Sequence, residues 1–207
     1  MRFMGRYFFS VPKAKRSEIK ILEVGCGSGA NLWVIAHEGF DAYGIDISQE
    51  GLRLCTDVLS QWGTSAKLEA GSMIRLPYMR ATFDAIVDVY ASYCLNEEEF
   101  DGFTLEAARV LKPGGRHFIF TPSKKSDAFR DPGPSRRIDG STVDGIKRAT
   151  APYYDNDFPF RFTTVDECAA SFRKAGMTIA SAELTGRTYR EREEYFENIV
   201  LVAELKS

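Results

Sequence analysis

The chain has 207 residues, 44% of them hydrophobic and 27% charged, with a formal net charge of −2 at neutral pH. That suffices for one domain with a proper core but not for two full-sized ones, and the balanced charge argues against a nucleic-acid or membrane-surface protein. Cys26, Cys55, Cys94 and Cys168 are widely spaced without a Cys-x-x-Cys, and His37 and His117 fit no zinc spacing. Free thiols in a reducing cytoplasm and no metal are therefore expected. No apolar run is long enough for a membrane span.

Residues 1–18 read as a short amphipathic cap ended by Pro12. Phe3, Tyr7 and Phe8 fall near helical spacing, with Arg2 and Arg6 opposite. Packing on the core is the favoured role, a stub of a lid the other. The apolar run Ile21–Val24 predicts a buried strand. It breaks into Gly25-Cys-Gly-Ser-Gly29 and resumes as a helix from Leu32 to Gly39. Strand, tight turn and helix N-terminus together make a site for a nucleotide-like ligand. At Gly25 and Gly27 the backbone can approach that ligand where a Cβ would collide. Glu23 is a carboxylate inside an apolar strand and should meet a cation or a set of donors, since a lone buried acid is costly. Gly25-x-Gly27-x-x-Ala30 fits the dinucleotide fingerprint, so a nicotinamide-dependent (NAD or NADP) oxidoreductase stays open at this point.

A second strand ends at Asp46, where a carboxylate can accept both hydroxyls of a ribose. Ser48 is a good N-cap for a helix over 49–61, with Leu52, Cys55, Val58 and Leu59 as its inner face. A weak third strand at 67–70, a loop at 71–77 and a clear fourth strand at 85–90 follow. A helix from Glu97 to Leu111, a Lys112–Gly115 turn and a fifth strand at 116–121 complete the run. This alternation predicts an α/β chain with a doubly wound parallel sheet. Residues 122–161 break the rhythm with five prolines and little periodicity, so they read as a flexible insertion or a substrate-covering lid. Arg130, Arg136, Arg137, Lys147, Arg148 and Arg161 lie there among aromatics and could hold an anionic acceptor. Nearby aspartates offset most of that charge. A helix over 164–175, capped by Thr164, precedes the last two strands at 177–184 and 199–205, joined by a charged connection from Arg187 to Asn198.

Several signals stand in one order: Leu22-Glu-Val-Gly-Cys-Gly-Ser-Gly29, Gly44-Ile-Asp-Ile-Ser48, Leu76-Pro77, Phe83-Asp-Ala-Ile86 and Arg109-Val-Leu-Lys-Pro-Gly-Gly115. This set resembles the class I S-adenosylmethionine-dependent methyltransferases, in particular the small-molecule group that includes quinone-biosynthesis enzymes, over roughly residues 20–121. The resemblance implies a single domain over 1–207. Its Rossmann-like, seven-stranded, mostly parallel sheet has an antiparallel last strand beside the fifth and helices on both faces. It also implies S-adenosylmethionine as cofactor and a small-molecule methyl acceptor. Gly25 and Gly27 should line the methionine and ribose, and Glu23 should anchor the loop or the methionine ammonium, with Cys26 and Asn31 in the same loop. Asp46 should accept the ribose hydroxyls and Ile47 pack against adenine. Ser72 and Met73 should flank adenine, with Ser72 standing where many relatives carry Asp. Asp88 should mark the strand end whose carbonyl meets the ammonium, although one residue of register turns its side chain away.

Methyl transfer from a sulfonium is an in-line displacement in which the protein mainly aligns the partners and excludes water. The catalytic candidates are Tyr90, Tyr93, Tyr153 and Asp155. A tyrosine with a pKa of ~10 is a poor base at neutral pH, so Tyr90 and Tyr93 read better as walls facing the transferable methyl. His117, inside a strand, reads as structural. A non-catalytic S-adenosylmethionine-binding protein is a further alternative. A nucleic-acid substrate is not expected, because Asp88-Val-Tyr-Ala91 stands where a base-clamping Asn-Pro-Pro-Tyr motif would follow the fourth strand.

Overall fold

A computed structural model describes residues 2–206. Nine strands form: β1 (Lys20–Val24), β2 (Asp41–Asp46), β3 (Lys67–Ala70), β4 (Phe83–Val89), β5 (Leu111–Pro122), β6 (Thr142–Val143), β7 (Phe160–Arg161), β8 (Met177–Tyr189) and β9 (Glu194–Leu205). Six helices accompany them: α1 (Arg2–Tyr7), α2 (Leu32–His37), α3 (Gln49–Gln61), α4 (Glu97–Val110), α5 (Asp127–Arg130) and α6 (Val165–Lys174). Seven strands make one sheet in the order β3-β2-β1-β4-β5-β9-β8, with β9 antiparallel to both of its neighbours. This is the expected doubly wound sheet.

Strands buried on both faces need apolar side chains at nearly every position, which is why β1 and β4 read as continuous hydrophobic runs. Leu22, Val24, Ile86, Ile119 and Leu201 pack under α4 and α6. Ile21, Ala85, Val87 and Val202 point the other way, toward α1, α2 and α3. Three helix starts are fixed by their caps. The Ser48 hydroxyl accepts from the Gly51 amide, and Asn96 with Glu99 and Thr164 with Glu167 form reciprocal capping boxes.

Two expectations are corrected, and one open alternative is narrowed. The fifth strand starts at Leu111, five residues before the expected Arg116. The charged stretch from Arg187 to Asn198 is not a loose connection: β8 and β9 run through it as one long hairpin, turned at Arg190, Glu191 and Arg192, all with positive φ. Its outer strand is solvated on most positions, so polar residues there carry no apolar alternation to read. Finally, residues 122–161 fold. α5 and the β6–β7 pair gather Phe129, Val143, Ile146, Phe160 and Phe162 into a cluster of their own against Phe196 of β9. The N-terminal residues pack on the core, with the Phe3 ring stacked on Phe118 at 5.1 Å. Among the described residues no helix is long and apolar enough to cross a membrane, and no group of metal-binding side chains forms.

Candidate functional site

The sheet order reverses between β1 and β4, and in an open α/β sheet that switch point, at the carboxyl ends of the strands, is where ligands bind. A cavity of about 270 Å³ lies there, lined by Gly25, Asp46, Ile47, Met73, Tyr90 and Tyr93 among others. Ser72 also lines it, so seven of the residues singled out in the sequence meet in one place. Sequence reasoning missed Gly71, Ala91, Cys94 and Leu95 on the same wall. For Ala91, Cys94 and Leu95 the signal was available in the position of the loop after β4, which must close over the switch point.

The turn after β1 is built for close approach. Gly25 has φ +60°, and a Cβ added there would lie 2.4 Å from the Cβ of Ala91. The amide of Gly27 donates to Oδ2 of Asp46 at 2.8 Å, while the amide of Ser48 donates to Oδ1 at 2.8 Å. A carboxylate has about four acceptor positions, so roughly two remain to take the hydroxyls of a diol. Ile47 follows as a residue 78% exposed, an apolar surface lining the cavity and suited to a flat ring.

Glu23 and Asn31 sit beneath the turn. Glu23 is buried, its Oε1 accepts from Nδ2 of Asn31 at 2.9 Å, and its Oε2 has no partner. Burial raises its pKa to about 8, against the opposing pull of the Asn31 hydrogen bond. An orphaned buried carboxylate oxygen under a nucleotide-type turn fits a ligand that brings a cation, such as the ammonium of a methionine moiety.

Cys26 and Asp88 do not open onto the cavity. Cys26 is buried in the core on the α1–α3 face. Asp88 is fully buried, and its Oδ1 accepts from the amides of Ala91 and Ser92 at 3.1 Å each, which fixes the turn after β4. Burial pushes its pKa up, against those hydrogen bonds and the nearby Arg161.

Tyr90 follows β4 with φ +53°, a left-handed conformation that aromatic residues rarely adopt and that is held here at the edge of a cavity. Its hydroxyl donates to Oδ1 of Asn198, and its ring meets Phe120 at 5.2 Å, Tyr153 at 5.4 Å and Tyr93 at 5.7 Å. Burial raises the pKa of both Tyr90 and Tyr93, so neither is a proton acceptor near neutrality. They are walls. Tyr153 does not line the cavity and meets the site through its tilted ring contact with Tyr90, and Asp155 is exposed in the following turn.

His117 lies away from the cavity on β5, between the rings of Phe103 and Phe172, with neither ring nitrogen partnered. Burial lowers its pKa to about 3, and it stays neutral as a core side chain. Most of the cations of 122–161 are engaged locally. Arg136 pairs with Asp144 at 3.0 Å, and Arg148 pairs with both Asp131 and Glu194 at 2.7 Å. Arg137 donates to the carbonyl of Phe129, and Arg161 is buried over the Phe100 ring.

A family model described as "Methyltransferase domain" matches residues 21–115. The demethylmenaquinone methyltransferase of Tropheryma whipplei (strain Twist) is 38% identical over 99 residues, which are 47% of this chain and 39% of that protein. The chain therefore spans about two fifths of the length of the curated relatives it matches. Among solved structures, an S-adenosylmethionine-dependent methyltransferase from Methanosarcina mazei superposes with a TM-score of 0.74 at 20% identity, covering 90% of this chain and 92% of that one. The 1,6-didemethyltoxoflavin-N1-methyltransferase of Burkholderia thailandensis, solved with bound 1,6-didemethyltoxoflavin and S-adenosylhomocysteine, superposes with a TM-score of 0.66 at 16% identity. It covers 99% of this chain and 84% of that one. Residues 21–115 are thus similar to a methyltransferase domain, and the sheet built on them has the fold of the S-adenosylmethionine-dependent methyltransferases.

Proposed function

We propose that the chain binds S-adenosylmethionine at the β1–β4 switch point and transfers its methyl group to a small molecule. The observation that carries this reading is Asp46 at the cavity, braced by the amides of Gly27 and Ser48 with acceptor positions to spare, and the unpartnered Oε2 of Glu23 supports it. When bound, the sulfonium supplies an activated methyl, so the protein need not generate a strong electrophile. Asp46 holds the ribose, Glu23 neutralises the ammonium, and Ile47 with Met73 covers the adenine. Tyr90 and Tyr93 keep water from the reacting atoms and present their ring faces to positive charge. With Tyr90 and Tyr93 raised in pKa, the site favours an acceptor that needs no enzymic base, or one whose proton leaves after transfer.

The segment 122–161 serves in this reading as the ordered cover of the acceptor side, since Tyr153 lies on Tyr90 and Phe160 lies on Tyr93 at 4.6 Å. An anionic acceptor draws little support from the guanidinium groups there, because most already have partners. A cytoplasmic setting accords with the four free cysteines. The dinucleotide reading is not favoured by the domain match or by the named relatives.

The test is thermal denaturation with S-adenosylmethionine, S-adenosylhomocysteine or NAD. A ligand specific for the native state stabilises by about 2.7 kcal/mol at a hundred times its Kd. A melting point raised by the first two and not by NAD is the expected result. A rise with NAD alone refutes the proposal. Incubation with a labelled methyl donor and a metabolite extract then separates an enzyme from a binding protein without turnover.

A further inference from the structure

One face of the sheet is only thinly covered, among the described residues, beside the methyl-donor site. Across β5, β9 and β8 the register sets Phe118, Val202 and Ser181 in one row and Phe120, Val200 and Glu183 in the next. The opposite face of β5 and β9 is sealed, with His117, Ile119, Leu201 and Ala203 all buried. On the thinly covered face Phe118, Phe120 and Val200 stay only half-buried. The short α1 roofs them through Phe3 and Tyr7, and a predominantly apolar cavity of about 410 Å³ remains between roof and sheet. Sheets in α/β proteins normally have both faces fully covered, so an apolar strip roofed, among the described residues, only by the short α1 with a cavity beneath it marks something that binds there.

This groove leads to the reacting centre. The next row pairs Thr185 with Asn198, and Asn198 is the residue that receives the Tyr90 hydroxyl. The Tyr90 ring also packs edge-on against Phe120, which lines the groove, while Tyr90 itself lines the donor cavity. Tyr90 is thus the partition between the two spaces, and it is held there in a left-handed conformation. On the β8 side Arg2 and Glu183 form an exposed ion pair 2.9 Å apart.

We propose that the groove under α1 holds the hydrocarbon chain of the methyl acceptor, with the accepting group placed beside Tyr90. The acceptor class is then an amphiphile with a linear apolar chain. This inference rests on the donor-site reading above and specifies the acceptor that the reading leaves open.

Titration calorimetry on the chain saturated with S-adenosylhomocysteine tests it, using butyrate, octanoate and palmitate as probes. Each methylene that enters the groove should tighten binding by about fourfold until the groove is full. Val200→Trp, which fills the groove floor, should weaken palmitate by at least about tenfold and leave S-adenosylhomocysteine unchanged. Thr185→Trp, at an exposed position on the rim, repeats the test without touching buried packing. A flat series, or palmitate binding indifferent to both substitutions, overturns the groove and leaves the donor site standing. Failure of the unaltered chain to bind S-adenosylhomocysteine overturns the donor site and this inference with it. A change from dimer to monomer in Val200→Trp, with palmitate binding intact, would make the groove an interface between copies and likewise overturn it.

Discussion

The amide of Gly27, in the turn after β1, donates to Oδ2 of Asp46 at the end of β2. One hydrogen bond thereby ties the loop that approaches the donor to the carboxylate that holds its ribose. Asp46 acts twice, as a brace for the turn and as a ligand. Asp46→Ala should therefore weaken S-adenosylhomocysteine binding by more than the loss of the ribose contacts alone. Hydrogen bonds to charged groups are worth about 1.5–3 kcal/mol, so a loss of about tenfold to a hundredfold is expected in calorimetry. Asp46→Asn keeps an acceptor oxygen and should fall between. A change below about twofold for the alanine variant would remove Asp46 from the site.

Glu23 makes the stability of the ligand-free chain fall as pH rises. Its pKa is raised to about 8 by burial, above its ordinary value of 4.5. Between those values the folded state binds the extra proton, so unfolding becomes easier with rising pH across that window. Below about pH 4.5 both states are protonated and the dependence vanishes. Each unit of such a shift corresponds to about 1.4 kcal/mol, which places the total effect at a few kcal/mol. Glu23→Gln should flatten the thermal-denaturation profile between pH 5 and 8 and raise the melting point at the alkaline end. It should also cost donor affinity, because the ammonium loses its counter-charge. An unchanged pH profile would show that Glu23 is already ionised in the free chain.

The extent to which this was legible in the sequence follows from how local each signal is. Gly25, Asp46, Ser72 and Met73 are set by short motifs next to strand ends, and the structure brings them to one cavity. Ser48 and Thr164 were readable because a cap depends on a few adjacent residues. Asp88 was ambiguous because strand residues alternate faces, and its carboxylate turned inward to hold the turn at Ala91 and Ser92. The fold of 122–161 was not legible. Its cluster joins Phe129, Phe160 and Phe162 to Phe196, which is remote in sequence, and no period encodes such a contact. The β8–β9 hairpin was hidden for a related reason, since an outer strand facing solvent has no apolar alternation to betray it.

Gly25 offers a sharper test of the turn. Its positive φ strains any L-residue, and an added Cβ would meet Ala91 at 2.4 Å. Gly25→Ala must shift either the turn or the loop after β4. Overpacking of this kind costs roughly 1–3 kcal/mol. The expected outcome is a lower melting point together with loss of S-adenosylhomocysteine binding by at least about tenfold. Gly102, on α4, has nothing within 4 Å of an added Cβ, and Gly102→Ala is the matched control that should keep full affinity.

Tyr90 separates wall from base. Tyr90→Phe keeps the ring against Phe120 and removes only the hydroxyl that donates to Asn198. If the residue acts as a wall, the variant should lose about 1 kcal/mol of stability for one hydrogen bond and hold donor affinity within about twofold. Tyr90→Ala removes the partition itself, and donor affinity should fall by about tenfold or more as water enters beside the sulfonium. Once an acceptor is in hand, the turnover of Tyr90→Phe decides the chemical role. A wall leaves kcat within about threefold of the unaltered chain, whereas a general base contributes about a hundredfold or more. A collapse of kcat with intact donor binding would convert Tyr90 from a surface that shapes the site into a group that moves a proton, despite the burial that raises its pKa.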